Sequence, residues 1–252
     1  MIENHAKQSG GSDKIDKSSP IPIYYQIMSQ LREKILDGAY PVDSTLPPER
    51  ELVETYQVSR MTIRQAIMEL VNEGILVRRK GIGTFVAPPK LEQPLNSLTS
   101  FTEDMAQRGM KAGSHVVSFQ QMKPDPSTRK LLGIGAHEPV FEYVRLRLAD
   151  DDPMALETTT LLASLCPGLQ KDDLENKSLY DVLNERWGIQ LEYATQSLEP
   201  ILAPAYEAGL LHVPTGSPLL LMHRVTYNQN GKAFEHVKSM YRGDRYKFVT
   251  EL

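Results

Sequence analysis

Residues 46–86, LPPERELVETYQVSRMTIRQAIMELVNEGILVRRKGIGTFV, constrain the fold of this chain more than any other stretch. A helix is expected from about 48 to 56. After a tight turn, Ser59 is placed to cap a second helix, which carries Ile63, Ala66, Ile67 and Leu70 on one face and stops at Gly74. Residues 75–79 and 84–87 then read as strands around a basic, glycine-containing tip at 80–83. Upstream, a helix is expected over 22–37. Pro22 suits its first turn, Ile23, Ile27, Leu31 and Ile35 share one face, and Gly38 ends it. Three helices followed by a hairpin make the pattern of a winged helix-turn-helix, whose last helix lies in the DNA major groove.

Arg60, Thr62, Arg64 and Gln65 point away from the apolar face, within the first two turns of that last helix. This is where side chains reach base edges and phosphates. Arginine can bond guanine bidentately, and glutamine suits adenine. Arg50, on the preceding helix, is within reach of the same groove. Lys80 and Gly81 form a slim cationic tip suited to the minor groove, because Gly81 has no side chain to block close approach. The competing reading is a solvated helix face and a basic hairpin on a protein-binding module. Net charge does not decide between them. At −4 it provides no global attraction for a polyanion, so any attraction must come from the local cluster Arg60, Arg64, Arg78, Arg79 and Lys80.

A length of 252 residues suggests one or two domains. Residues 1–19 are rich in Ser, Gly, Lys and Asp and are expected to form a disordered tail. The head spans 20–89. Pro88-Pro89 opens a linker over 90–96, and a second domain fills 97–252. Its strands and helices alternate without a repeating βαβ rhythm, so the expected class is α+β around an antiparallel sheet. Two hairpins stand out, 141–149 with 154–161 through a DDP turn, and 219–227 with 232–241 through an Asn230-Gly231 turn of type I′. The segments 145–157 and 224–235 resemble each other and suggest pseudo-symmetric halves. The single cysteine, Cys166, excludes a disulfide framework and a Cys-rich zinc site, and reads as structural. The six histidines lack metal-ligand spacing, so no metal or cofactor is expected. No apolar run approaches the roughly 20 residues that span a bilayer, and the N-terminus has no apolar signal core. A cytoplasmic location without a membrane partner is the expectation.

The second domain holds residues suited to a small anion. A short helix over 100–108 presents free N–H groups at its start. Arg145 and Arg147 alternate along a strand and so face one side. Two adjacent guanidinium groups repel unless an anion or carboxylate lies between them. Glu157 offers acceptors from the partner strand. Ser178 and Tyr180 stand at another helix start, and Glu235 and Tyr241 share a strand face by their even spacing. Simpler readings compete with these. Arg145 and Arg147 can salt-bridge Glu142 or Glu157 on a wet face, Ser178 can be only a cap, and Glu235 only a surface residue. An enzyme acting on sugar phosphates is a further alternative, provided a carboxylate is tuned towards neutral pH.

The segments LPPER, SRMTIRQAIMELVNEGIL and GIGTFV resemble the GntR family of bacterial transcription regulators over residues 20–87. Pro48 departs from the family pattern, in which a serine able to cap the helix is common. The resemblance implies DNA contacts at Arg50, Arg60, Arg64 and Gly81. SLTSFTEDMAQRG, YVRLRLADDDPMALETTTL, SLYDVL and AFEHVKSMYRGDRYKF resemble the UTRA domain of the HutC subfamily. That domain has a chorismate-lyase-like fold and senses ligands without catalysing. The chain is similar to regulators of N-acetylglucosamine utilisation. This implies a homodimeric repressor on double-stranded operator DNA, under allosteric control by an amino-sugar 6-phosphate. A different small anionic metabolite is the alternative. By resemblance Ser100, the Phe101 backbone, Arg145, Arg147 and Ser178 hold phosphate, and Glu157, Tyr180, Glu235 and Tyr241 face the sugar.

Overall fold

The computed structural model describes residues 14–79 and 81–251. The chain divides into two compact units between Lys90 and Leu91. In the first, α1 (Ile23–Leu36), α2 (Glu49–Tyr56) and α3 (Arg60–Asn72) precede a hairpin of β1 (Leu76–Arg79) and β2 (Gly83–Val86). Ile27 and Leu31 of α1 pack with Ile63, Ala66, Ile67 and Leu70 of α3, and Leu46, Leu52, Tyr56 and Leu76 complete the core. The Ser59 hydroxyl accepts from the Thr62 N–H at 3.2 Å, which fixes the start of α3. Gln57, left-handed at φ 51°, makes the turn between α2 and α3. The wing pairs from Leu76↔Val86 to Arg79↔Gly83. This is the expected winged helix-turn-helix, with boundaries shifted by a residue or two.

Residues 14–19, expected in the tail, are tied to α1. Gln26 accepts from the Asp16 N–H at 3.0 Å and donates to the Asp16 carbonyl at 2.9 Å. A side-chain amide carries both a donor and an acceptor, so it satisfies an extended backbone much as a neighbouring strand would.

The second unit is α+β. In chain order it comprises β3 (Leu91–Pro94), α4 (Phe101–Gln107), β4 (Ala112–Met122), α5 (Pro126–Leu132), β5 (Val140–Ala149), β6 (Asp152–Leu162), α6 (Leu179–Trp187), β7 (Leu191–Leu202), α7 (Ala205–Leu210), β8 (Pro218–Asn228), β9 (Ala233–Arg242) and β10 (Tyr246–Val249). The main sheet is six-stranded and antiparallel, in the order β4-β5-β6-β9-β8-β7. Part of the expected linker is instead a strand, since β3 pairs in parallel with β10. The interaction joins opposite ends of the unit and leaves no local pattern in the sequence.

The sheet order is a pseudo-twofold about the β6–β9 pair. Each half runs helix, long strand, short helix, hairpin. The same interval of 78 residues separates Ser100 from Ser178, Pro126 from Pro204 and Glu157 from Glu235. Helices α4 and α6 begin at Ser100 and Ser178, whose hydroxyls accept from Glu103 N–H and Asp181 N–H. The likeness of the two hairpins is thus the visible part of a longer repeat.

The turn chemistry is the reverse of that expected. At Asn230-Gly231 only Gly231 has positive φ, at 70°, and Asn228 pairs with Lys232 across three residues. This is not type I′, which needs positive φ at both central residues. That requirement is met in the other hairpin, by Asp150 (φ 48°) and Asp151 (φ 67°). Aspartate tolerates the left-handed region better than most residues.

Candidate nucleic-acid interface and ligand pocket

On the first unit, the polar face of α3 is built around one carboxylate. Glu49, at the start of α2, lies 2.9 Å from Arg60 Nε, 3.4 Å from Arg64 Nε and 3.5 Å from Arg78 Nη2. One negative charge among three positive ones orients the arginines and leaves an excess of two. Arg60 and Arg64 are exposed, as are Ser59 and Gln65, while Thr62 is half-buried with its hydroxyl 2.9 Å from that of Ser59. Arg50 is exposed, with its Nε 3.2 Å from Glu54. Gly81 has φ 76° and open space around its absent side chain. Lys80 lies outside the described residues. Beside the tip, Arg79 stacks on Phe85 with its guanidinium carbon 4.4 Å from the ring centre. The expected DNA residues of α3 therefore share one exposed cationic face. The organising Glu49 was not expected, although the LPPER segment contains it.

The second unit encloses a pocket between the sheet face, the starts of α4 and α6, and the β3–β10 ribbon. Strand register determines its floor. Arg145, Glu157, Ser239 and Met222 are successive cross-strand neighbours on β5, β6, β9 and β8. Arg224 and Glu235 lie on the same face by the two-residue alternation. Ser100, Phe101, Arg145, Arg147, Glu157, Tyr180, Glu235 and Tyr241 all line the cavity, as expected. Ser178 does not. It is buried, and its hydroxyl accepts from the Asp181 N–H at 3.3 Å, so it serves as a cap behind the lining residues Leu179 and Tyr180. The competing cap reading of Ser178 is the one the geometry follows.

The buried charges are unevenly matched. Arg145 donates to Glu157 at 2.7 Å, and Arg147 Nε lies 3.4 Å from the other Glu157 oxygen. Both arginines are almost completely buried, at 1% and 4% exposure. Neither Nε has a hydrogen-bond partner among the described residues. Burial alone would raise the Glu157 pKa, but Arg147 and then Arg145 outweigh it and hold the carboxyl down at about 2. Burial and the like charge of Arg145 lower the Arg147 pKa, though a guanidinium stays protonated. A carboxylate held this low is a poor general base at neutral pH, which argues against proton-transfer chemistry here. The salt-bridge reading and the anion reading of Arg145 and Arg147 are thus compatible. One carboxylate lies between two cations, so this cluster carries one positive charge in excess, while elsewhere in the lining Arg224 stands with Asp104 and Glu235.

Glu235 is in a different environment. It accepts from Tyr180 at 2.9 Å and from Thr226 at 2.7 Å, both on the same oxygen. Burial raises its pKa, opposed by these two bonds. At the start of α4, the capping box occupies two donors. Glu103 takes the Ser100 N–H at 2.7 Å, and the Ser100 hydroxyl takes the Glu103 N–H at 3.2 Å. Among the described residues no acceptor takes the Ser100 hydroxyl proton or the Phe101 N–H. Arg224 was missed as a site residue by sequence reasoning, although it opens the segment 224–235 that resembles 145–157. Gln93, Asp104 and Tyr246 also line the cavity and had no sequence signal. The cavity volume is about 40 Å³, room for only a few waters at about 10–15 Å³ each. Cys166 is buried away from the lining residues, and burial pushes its thiol up to about 12. Among the described residues no three His, Cys, Asp or Glu side chains are grouped to hold a metal ion, and no helix is long and apolar enough to cross a membrane.

Residues 23–86 match the gntR family of bacterial regulatory proteins, and residues 107–247 match the UTRA domain. The chain is 48% identical to the HTH-type transcriptional repressor NagR of Bacillus subtilis, over 93% of this chain and 96% of that one. It is 35% identical to the crystal structure of PhnF from Mycobacterium smegmatis, with a TM-score of 0.63 over 90% of this chain and 98% of that one. The effector domain of PhnF alone covers 64% of this chain and 98% of its own, at 33% identity and a TM-score of 0.60. These families and relatives are DNA-binding transcription regulators and not enzymes, and a UTRA domain implies a small-molecule effector. A winged head with its arginines outward, joined to a sheet domain with its arginines inward, thus has full-length counterparts, and the chain belongs to the UTRA-containing branch of the GntR family of bacterial regulatory proteins.

Proposed function

We propose that the protein is a homodimeric repressor of amino-sugar utilisation genes, released from its operator by glucosamine 6-phosphate or N-acetylglucosamine 6-phosphate. The observation that carries the effector class is the buried pair Arg145 and Arg147, with one shared carboxylate and unused guanidinium hydrogens at a cavity. A phosphate dianion supplies the missing negative charge and accepts bidentately from such groups. The Ser100 hydroxyl and Phe101 N–H supply further donors. Glu157, Glu235, Tyr180 and Tyr241 present acceptors and hydroxyls suited to the polar edge of a sugar. A hexose phosphate needs more room than about 40 Å³, and α4, whose start lines the cavity, is the element proposed to move as it enters. That helix follows directly on the strand that continues the chain from the head.

Arg50, Ser59, Arg60, Thr62, Arg64, Gln65, Lys80 and Gly81 are the proposed DNA contacts. One head reads a half-site, so two heads on a palindrome, with half-sites ~34 Å apart, supply the affinity. The edge strand β7 is the proposed seam between subunits. It is twelve residues long and exposes Tyr193, Leu198 and Leu202, a pairing edge that proteins seldom leave bare.

The test is a titration of the full chain against DNA from upstream of its own gene, at fixed salt, with and without the two sugar phosphates. Loss of a tight complex on adding either sugar is expected. A tight complex indifferent to both would remove the sugar assignment and keep the regulator.

A further inference from the structure

Gln196 joins the pocket to the strand that enters the second unit. Its side-chain oxygen accepts from Arg224 Nε at 3.2 Å and from Arg224 Nη2 at 3.0 Å. Its side-chain nitrogen donates to the Leu95 carbonyl at 2.7 Å. A guanidinium only donates and a carbonyl only accepts, so the amide has one workable orientation. Turning it over breaks both interactions together. Arg224 lines the cavity, and Gln196 is the cross-strand neighbour that positions it. Leu95 directly follows β3, and its own N–H is bound to the Val249 carbonyl at 2.8 Å. Five residues later, Ser100 caps α4 at the cavity.

We propose that Gln196 is a positioning residue that latches Leu95 to the pocket through Arg224, and that effector entry opens the latch. Gln196 is neutral, so it holds Arg224 more weakly than an anionic or strongly accepting ligand oxygen would. A ligand oxygen at Arg224 competes for the same two N–H groups. Once these are withdrawn, the amide keeps an unsatisfied acceptor in a half-buried site, turns to find a donor, and lets go of Leu95. The strand continuous with the DNA-binding head then loses its anchor on β7. This rests on the reading of the pocket as an effector site that releases the operator.

The closing experiment uses the full-length chain with Gln196→Met, which keeps the side-chain volume and removes both hydrogen-bonding ends. Three quantities are measured: operator affinity without sugar, N-acetylglucosamine 6-phosphate affinity without DNA, and the melting temperature. An opened latch mimics the effector. Operator binding should weaken about fivefold or more, and sugar binding should tighten by a similar factor, as reciprocity of coupling requires. A merely structural role would not tighten sugar binding. Unchanged operator affinity, or weakening of both ligands together, overturns the latch. Should the wild-type chain ignore the sugar, the effector assignment fails. The latch is then decided by Gln196→Met at unchanged melting temperature, with weakened operator binding supporting it and unchanged binding overturning it. Gln196→Glu is the second variant. It still accepts from Arg224 but cannot donate to Leu95, and it carries the operator measurement if Gln196→Met does not fold.

Discussion

Each unit of this protein sets one glutamate among arginines, and the two clusters differ in where they stand. Glu49 holds Arg60, Arg64 and Arg78 on an open face, and Arg60 and Arg64 keep 72% and 50% of their side-chain surface. Glu157 holds Arg145 and Arg147 inside a cavity, where they keep 2% and 5%. Both leave positive charge in excess. In water the excess is screened, and the pairs themselves contribute little to stability. Such a face suits a polyanion that brings many charges and whose counterions are released on contact. In the interior the same groups are desolvated, and each must be matched in both charge and direction. Such a site suits one small anion of defined shape. Burial, more than residue type, separates the two.

The largest effect that sharpens this contrast is expected at Glu157. Glu157→Met leaves Arg145 and Arg147 as two adjacent buried cations and should cost about 3–5 kcal/mol in denaturant unfolding. Replacing Arg145, Arg147 and Glu157 together with apolar residues should restore most of that loss. A single-variant cost under 1 kcal/mol would mean that the cavity is wetter than its burial implies.

Acid should distinguish the two carboxylates of the pocket. The folded Glu157 pKa is depressed from 4.5 to about 2. Its contribution, on the order of 3 kcal/mol, is therefore present above about 4.5 and lost as pH falls towards 2. Glu235 is shifted upwards. It contributes stability below its unfolded value and loses it as pH rises through its folded one. Glu157→Gln should flatten the acid limb of a stability–pH curve, whereas Glu235→Gln should stabilise the protein at neutral pH relative to acid. Parallel curves for the two variants would contradict the assigned shifts.

On the open face the effects fall on DNA binding, not on folding. Arg60→Ala should lose about 1–3 kcal/mol of specific operator affinity, with melting unchanged and sugar phosphate affinity intact. Equal loss of both ligands would indicate misfolding. The smallest effect is expected at Glu49. Glu49→Gln should shift stability by less than about 1 kcal/mol. It should also bring operator and random-sequence affinities closer together, because the arginines lose their common anchor and gain net charge. An unchanged ratio would remove Glu49 from any positioning role.

The head was legible in the sequence because its signals are local. The spacing of Ile63, Ile67 and Leu70, the Ser59 cap and the Gly81 tip each act within a few residues. Much of the pocket was legible too, since alternation along one strand placed Arg145 with Arg147 and register followed from the hairpin. Gln93, Tyr246 and the β3–β10 ribbon were not, because their pairing spans the whole unit. The hairpin turns failed for another reason. Asn-Gly is the commoner route to a type I′ turn, yet the register of β8 with β9 selected a three-residue connection there. Ser178 failed because a capping serine and a lining serine look alike until the direction of the hydroxyl is known.

The interval of 78 residues has a consequence for how such a sensor can change its diet. Because the cavity straddles the repeat, the two halves meet a ligand from opposite ends with related equipment. Under the proposed function, the half carrying Arg145 and Arg147 can stay constant as a grip for a common anionic tail. The half carrying Arg224 and Glu235 can then drift and select among the heads attached to that tail. New tastes would arise by editing one repeat at a time, without rebuilding the fold or its hold on the shared group.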